Sequence, residues 1–159
     1  MKGIINIDFI VSILVFVSTL SFVAISIISR IPLFHHEAYT DDLRSRTYQV
    51  SHLLLFDRGW PENWNEANVE RIGLSIEPYI LNRSKIDSLE ILCSNSYEKV
   101  NSLLADINTV VTINITLSDG NQILSCGPRL TRTGFEVRRN IVVDDGVDKD
   151  VAKMVVIVQ

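Results

Sequence analysis

The hydrophobic and polar positions along the chain fall into distinct regimes. From Phe9 to Ser29, FIVSILVFVSTLSFVAISIIS, no charged residue interrupts the run, which is bounded by Asp8 and Arg30. About 21 residues rising 1.5 Å each make roughly 31 Å of helix, close to the hydrocarbon thickness of a bilayer. A helix apolar on every side is poorly solvated by water, and a domain of this size offers no interior long enough to bury it. The run is therefore read as a membrane span or as one member of a bundle of like helices. After it the pattern becomes one-sided: Tyr39, Leu43, Val50 and Leu53/Leu54 recur near helical spacing, with Asp42, Arg44 and Ser51 between them. Pro32 lacks a backbone donor and is expected to bend or interrupt the helix where the two halves meet. The alternative for the second half is an unrelated helix of the outer domain.

The stem should stop at Gly59-Trp60-Pro61-Glu62-Asn63-Trp64, where Gly and Pro punctuate the pattern and two tryptophans fold back onto the domain. A platform for stacking sugar rings is the functional rival to this packing role. Two short one-sided helices follow. The first begins at Ser84 as cap, with Ile86, Leu89 and Cys93 on one face. The second begins at Asn95-Ser96-Tyr97-Glu98 and carries Tyr97, Val100, Leu103/Leu104 and Ile107 as its stripe.

From Thr109 the period changes to two. Val111, Ile113, Ile115 and Leu117 alternate with Thr112, Asn114 and Thr116, the signature of a strand with one buried face. Ser118-Asp119-Gly120-Asn121 is a hairpin turn, and the chain returns from Gln122 to Cys126. Phe135 to Val143 and Val151 to Val158 make a second hairpin across an acidic connection, 144–150, which lacks the ligand spacing of a calcium loop. The expected fold class is α+β: a long amino-terminal helix, membrane-spanning and then amphipathic, packed on a small antiparallel sheet of about four strands. One face of that sheet should lie on the amphipathic half of the stem.

Charge and cysteine content sharpen the picture. The net charge is −4, unchanged when Lys2 and Asp8 are both set aside, and no basic block offers a footprint for nucleic acid. The two cysteines, Cys93 at the end of a helix and Cys126 at the end of a strand, are placed to bridge in an extracytoplasmic domain, the alternative being two buried free thiols. Two glycosylation sequons occur, Asn82-Arg83-Ser84 and Asn114-Ile115-Thr116, and the second lies on the polar face of its strand. His35-His36 is unaccompanied by an acid or cysteine pattern of metal-binding spacing, so no metal is expected. Neither a nucleophile elbow, nor a P-loop, nor a dinucleotide fingerprint is present, and no catalytic residue or cofactor is assigned. Arg138-Arg139 on a strand places at most one guanidinium inward.

The amino terminus carries a resemblance. Met1-Lys2-Gly3, five residues ending in Asp8, and then a long apolar span resemble the class III signal of archaeal type IV pilin-like proteins, and Gly59-x-Pro61-x-x-Trp64 with a later Gly73-Leu74 is similar to a segment of that family. The chain departs from the family's usual pattern with Ile4 for glutamine, Asn6 for serine and Asp8 for glutamate. The resemblance implies that a prepilin peptidase recognises Lys2 and Gly3 and cuts before Ile4. The organisation would then be a leader 1–3, an apolar assembly helix 4–29, its amphipathic continuation 30–58 and an extracytoplasmic head 59–159. The implied partners are the membrane, other pilin-like subunits and the pilus assembly platform. Asp8 would meet the amino terminus released on a neighbouring subunit; read from chemistry alone, Asn6 or Asp8 caps the helix and complements its dipole, and the two roles are compatible. The reading from another class is a single-pass, membrane-anchored binding domain that is neither processed nor polymerised, with an anchored enzyme as a distant third.

Overall fold

The computed structural model describes residues 7–106, 109–128 and 134–159, and of residues 30–38 the backbone alone. The chain divides into two compact units, Met1–Tyr39 and Thr40–Gln159. The fold class is α+β, with a long apolar helix and a curled mixed sheet. Helix α1 covers Ile7–Phe56, 50 residues, and its backbone stays helical through Pro32 rather than breaking there. A proline ring removes one hydrogen bond without obliging the chain to leave the helix when the turns on both sides hold.

The second unit begins on the last turns of α1. Leu43, Val50, Leu54 and Leu55 are buried in its core, a stripe at helical spacing. Two corrections apply to the stripe read from the sequence. Tyr39 is exposed, and Ser51, placed on the polar side, is fully buried. Its hydroxyl lies 3.5 Å from Nε of Arg139, which supplies the partner that lets a serine sit in this position. Thr47, also buried, donates to the carbonyl of Leu43 at 2.6 Å.

After α1 come two three-residue strands, β1 (Ser75–Glu77) and β2 (Ile80–Asn82), then helix α2 (Arg83–Leu104). Strands β3 (Val111–Leu117), β4 (Gln122–Cys126), β5 (Phe135–Asp144) and β6 (Lys149–Val158) complete the head. The sheet has six strands in the order β1-β2-β5-β6-β3-β4. Both hairpins expected from the period-two pattern are present and antiparallel. The sheet is not purely antiparallel, however, because β2 lies parallel to β5, Ile80 opposite Val142. Strands of three residues are too short to show an alternation, which is why β1 and β2 escape the reading and the count rises from about four to six.

Helix α2 unites the two short helices that the pattern suggests. Its cap is Asn82, whose side-chain oxygen accepts from the backbone N–H groups of Ser84 and Lys85, not Ser84 itself. Ser96 departs from helical geometry, with φ −156° and ψ 70°, at the place where a second cap was expected. The kink turns two amphipathic segments onto one core, burying Ile86, Leu89 and Cys93 before it and Val100 and Leu104 after it. Ile107 lies outside the described residues.

On the sheet, Ile113, Ile115, Met154 and Val156 are fully buried. They share the inner face with Ile141 and Val143, while Arg138, Asn140 and Lys153 point outward.

Candidate functional site

In the first unit, Ile7–Ser29 is long and apolar enough to cross a membrane, and its large apolar side chains, from Phe9 to Ile28, are exposed along the whole segment. Such a surface calls for lipid or like helices around it. Four of its hydroxyls are already spoken for: Ser12 donates to the carbonyl of Asp8, Ser18 to Val15, Thr19 to Phe16 and Ser29 to Ser26. Each returns to its own helix, so these groups need no partner from the surroundings. Asp8 is the acid of the first turn, where its charge complements the helix dipole. Lys2, Gly3 and Ile4 lie outside the described residues, and the side chains of His35 and His36 lie outside them as well.

In the second unit the residues picked out around Gly59 converge. Gly59 has φ +77°, and a β-carbon on it would fall 2.4 Å from Nε1 of Trp64. Trp64 is 3 % exposed and donates through that nitrogen to the carbonyl of Gly73 at 2.8 Å. A β-carbon on Gly73 would in turn fall 2.4 Å from both the carbonyl oxygen of Asp57 and the nitrogen of Gly59. Only glycine lets the two backbones approach this closely. Leu74 continues the contact, fully buried, with its N–H on the carbonyl of Leu54. Trp64 is therefore part of the core and offers no ring face to a sugar, whereas Trp60 is 57 % exposed.

Lys85 is a residue that the sequence reading passed over. It is buried, donates to the carbonyl of Arg58 at 2.5 Å, and burial holds its ammonium below the usual lysine range. This ties the start of α2 to the chain leaving α1. A second unread cluster joins the end of α2 to β3. Tyr97 donates to the carbonyl of Val111 at 2.8 Å, the N–H of Val111 donates to Oδ1 of Asn101, and Nδ2 of Asn101 donates to the carbonyl of Thr109. Burial raises the Tyr97 phenol above its ordinary range. The signal for both was a polar residue on an otherwise apolar helical face.

Cys93 and Cys126 are bonded, with Cα atoms 5.5 Å apart, so α2 is fastened covalently to β4 at one edge of the sheet. Arg139 points inward over the Tyr48 ring, 5.4 Å from its centroid, while Arg138 is exposed and pairs with Glu136. The Arg138 guanidinium holds the Glu136 carboxyl below its ordinary range.

Compared with family models, curated proteins and solved structures, the chain matches none. What the residues offer chemically must be argued from their own arrangement. Among the described residues no group of three or more His, Cys, Asp or Glu side chains is placed to hold a metal ion. One cleft is lined by Arg46, Gln49, Val50, Leu104, Asp106 and Thr109, and the ion pair from Arg46 to Asp106 crosses it. A shallower one is lined by His52, Phe56, Asp57, Arg58 and Arg71, where Asp57 is occupied by Gly59 and Arg71. Neither brings a nucleophile and a general base together.

Proposed function

We propose that this chain is a type IV pilin-like structural subunit of an archaeal cell-surface filament, major or minor. Peptidase cleavage between Gly3 and Ile4 leaves the apolar helix on the mature protein, which assembles through that helix on a pilus assembly platform at the membrane. The head faces outward and performs no catalysis.

The observation that carries this reading is the division of labour along α1. Its segment Ile7–Ser29 presents apolar side chains on every side, whereas its last turns bury a single stripe in the head. A plain anchor needs the first property; a polymerising stem that also supports a head needs both. The disulfide agrees with an oxidising, extracytoplasmic setting. The close packing of Gly59, Trp64 and Gly73 gives the Gly59-x-Pro61-x-x-Trp64 resemblance a physical reason, the rigid closure of the head onto the end of the stem.

Mass spectrometry of the amino terminus of protein from its native membrane tests the reading. A mature chain starting at Ile4 is expected. An intact Met1 on a protein found only as single copies in lipid would favour the anchored binding domain instead.

A further inference from the structure

The fold treats the two glycosylation sequons differently. Asn82 ends β2 and caps α2: its Oδ1 accepts from the N–H of Ser84 at 2.9 Å and of Lys85 at 3.4 Å. The hydroxyl residue of that sequon, Ser84, is thus wound into the first turn of the helix, and the asparagine is folded back on its own acceptor motif. Its backbone N–H is held too, by the carbonyl of Leu74.

Asn114 sits in an extended segment. Ile113 and Ile115 on either side are fully buried, so the strand alternation sends Asn114 and Thr116 together to the outer face. The residues beside Asn114 across the sheet are Ser125 on β4 and Val155 on β6, neither of them long or charged. Gln122 donates to Oδ1 of Asn114 at 3.2 Å, which orients the amide while leaving Nδ2 without a bond to any described residue.

We infer that Asn114 is an N-glycosylation site and that Asn82 is not, the glycan coming from a polyprenyl-phosphate-linked sugar donor. The inference rests on the proposed outward placement of the head. In the transfer, Nδ2 of Asn114 bonds to the anomeric carbon of the sugar and the bond from that carbon to the phosphate oxygen breaks. The lipid phosphate leaves with the electron pair, and the amide proton passes to a base of the transferase. The product carries its glycan over the outer face, where Asn114, Thr116, Lys153 and Arg138 surround Val155, away from the core.

The two sequons fall in different tryptic peptides, 72–83 and 100–129, so one digest of the full-length protein from its native membrane reads both. After reduction, peptide 100–129 is expected to carry a glycan mass and 72–83 its bare mass. The added mass should vanish in Asn114→Gln and in Thr116→Ala and persist in Thr116→Ser. A bare 100–129 peptide in the native protein, or a glycan on 72–83 with or without one on 100–129, overturns the inference. The amino-terminal peptide of the same digest separates the two readings. A start at Ile4 with Asn114 bare defeats only the modification, and a glycan on Asn114 with Met1 intact defeats only the processing.

Discussion

The indole nitrogen of Trp64 donates to the carbonyl of Gly73 across nine residues of chain, at 2.8 Å, in the buried seam beside the end of α1. Trp64→Phe keeps most of the ring and removes the donor, leaving a buried carbonyl unpaired. A loss of about 1–3 kcal/mol is expected, read as a lower urea midpoint of the full chain in detergent. A midpoint unchanged from the parent would mean that the contact contributes packing alone.

Lys85 makes a prediction about pH. Its folded-state pKa is lowered by burial, so at alkaline pH the unfolded chain holds more protons than the folded one. Stability from this group therefore rises with pH up to the ordinary lysine value of about 10.4. The stability of Lys85→Met relative to the parent should accordingly fall as pH is raised from about 7 to 10. Taking the difference removes Tyr97, whose raised pKa acts in the opposite direction in both proteins. A difference that stays flat with pH would show the ammonium to be solvated.

The bond between Cys93 and Cys126 closes a separation of 33 residues. Cys93→Ser with Cys126→Ser is expected to lose about 3–4 kcal/mol, on the entropy of the closed loop alone. Urea titration of parent and double variant, both in detergent, measures the difference. A loss below about 1 kcal/mol would mean that packing of α2 on β4 suffices.

Under the proposed filament reading, Asp8 is the residue at which insertion and assembly can be told apart. Asp8→Ala removes one carboxylate from the first turn of α1 and leaves the apolar span intact, so membrane fractionation should find it as abundant as the parent. Filament yield in sheared fractions should drop about a hundredfold or more, the equivalent of about 3 kcal/mol for breaking a buried pair. Parental filament yield from this variant would count against the pairing of Asp8 with a neighbouring amino terminus.

Much of this architecture is written in periodicity. The apolar span and the β3–β4 and β5–β6 hairpins follow from local pattern, because each is an element long enough to repeat. What escaped depends on distant partners. Ser51 looks polar and solvated until Arg139 arrives from another part of the chain. Ile80 carries no periodic signal of its own and becomes a strand residue by pairing in parallel with β5. The candidate site divides in the same way: Gly59, Trp64 and Gly73 stand out by residue type, while Lys85 and Asn101 are polar positions on apolar helical faces whose roles are set by the distant carbonyls that they reach.

Strand β6 follows the other five in sequence yet lies between β5 and β3, with ladders on both sides. Until it is in place, β1, β2 and β5 have no hydrogen-bonded connection to β3 and β4 through the sheet. Synthesis must therefore reach β6 before the sheet can become a single cooperative body. A polypeptide ending before β6 would display two open sheet margins, along β5 and along β3, and should be cut more readily by proteases.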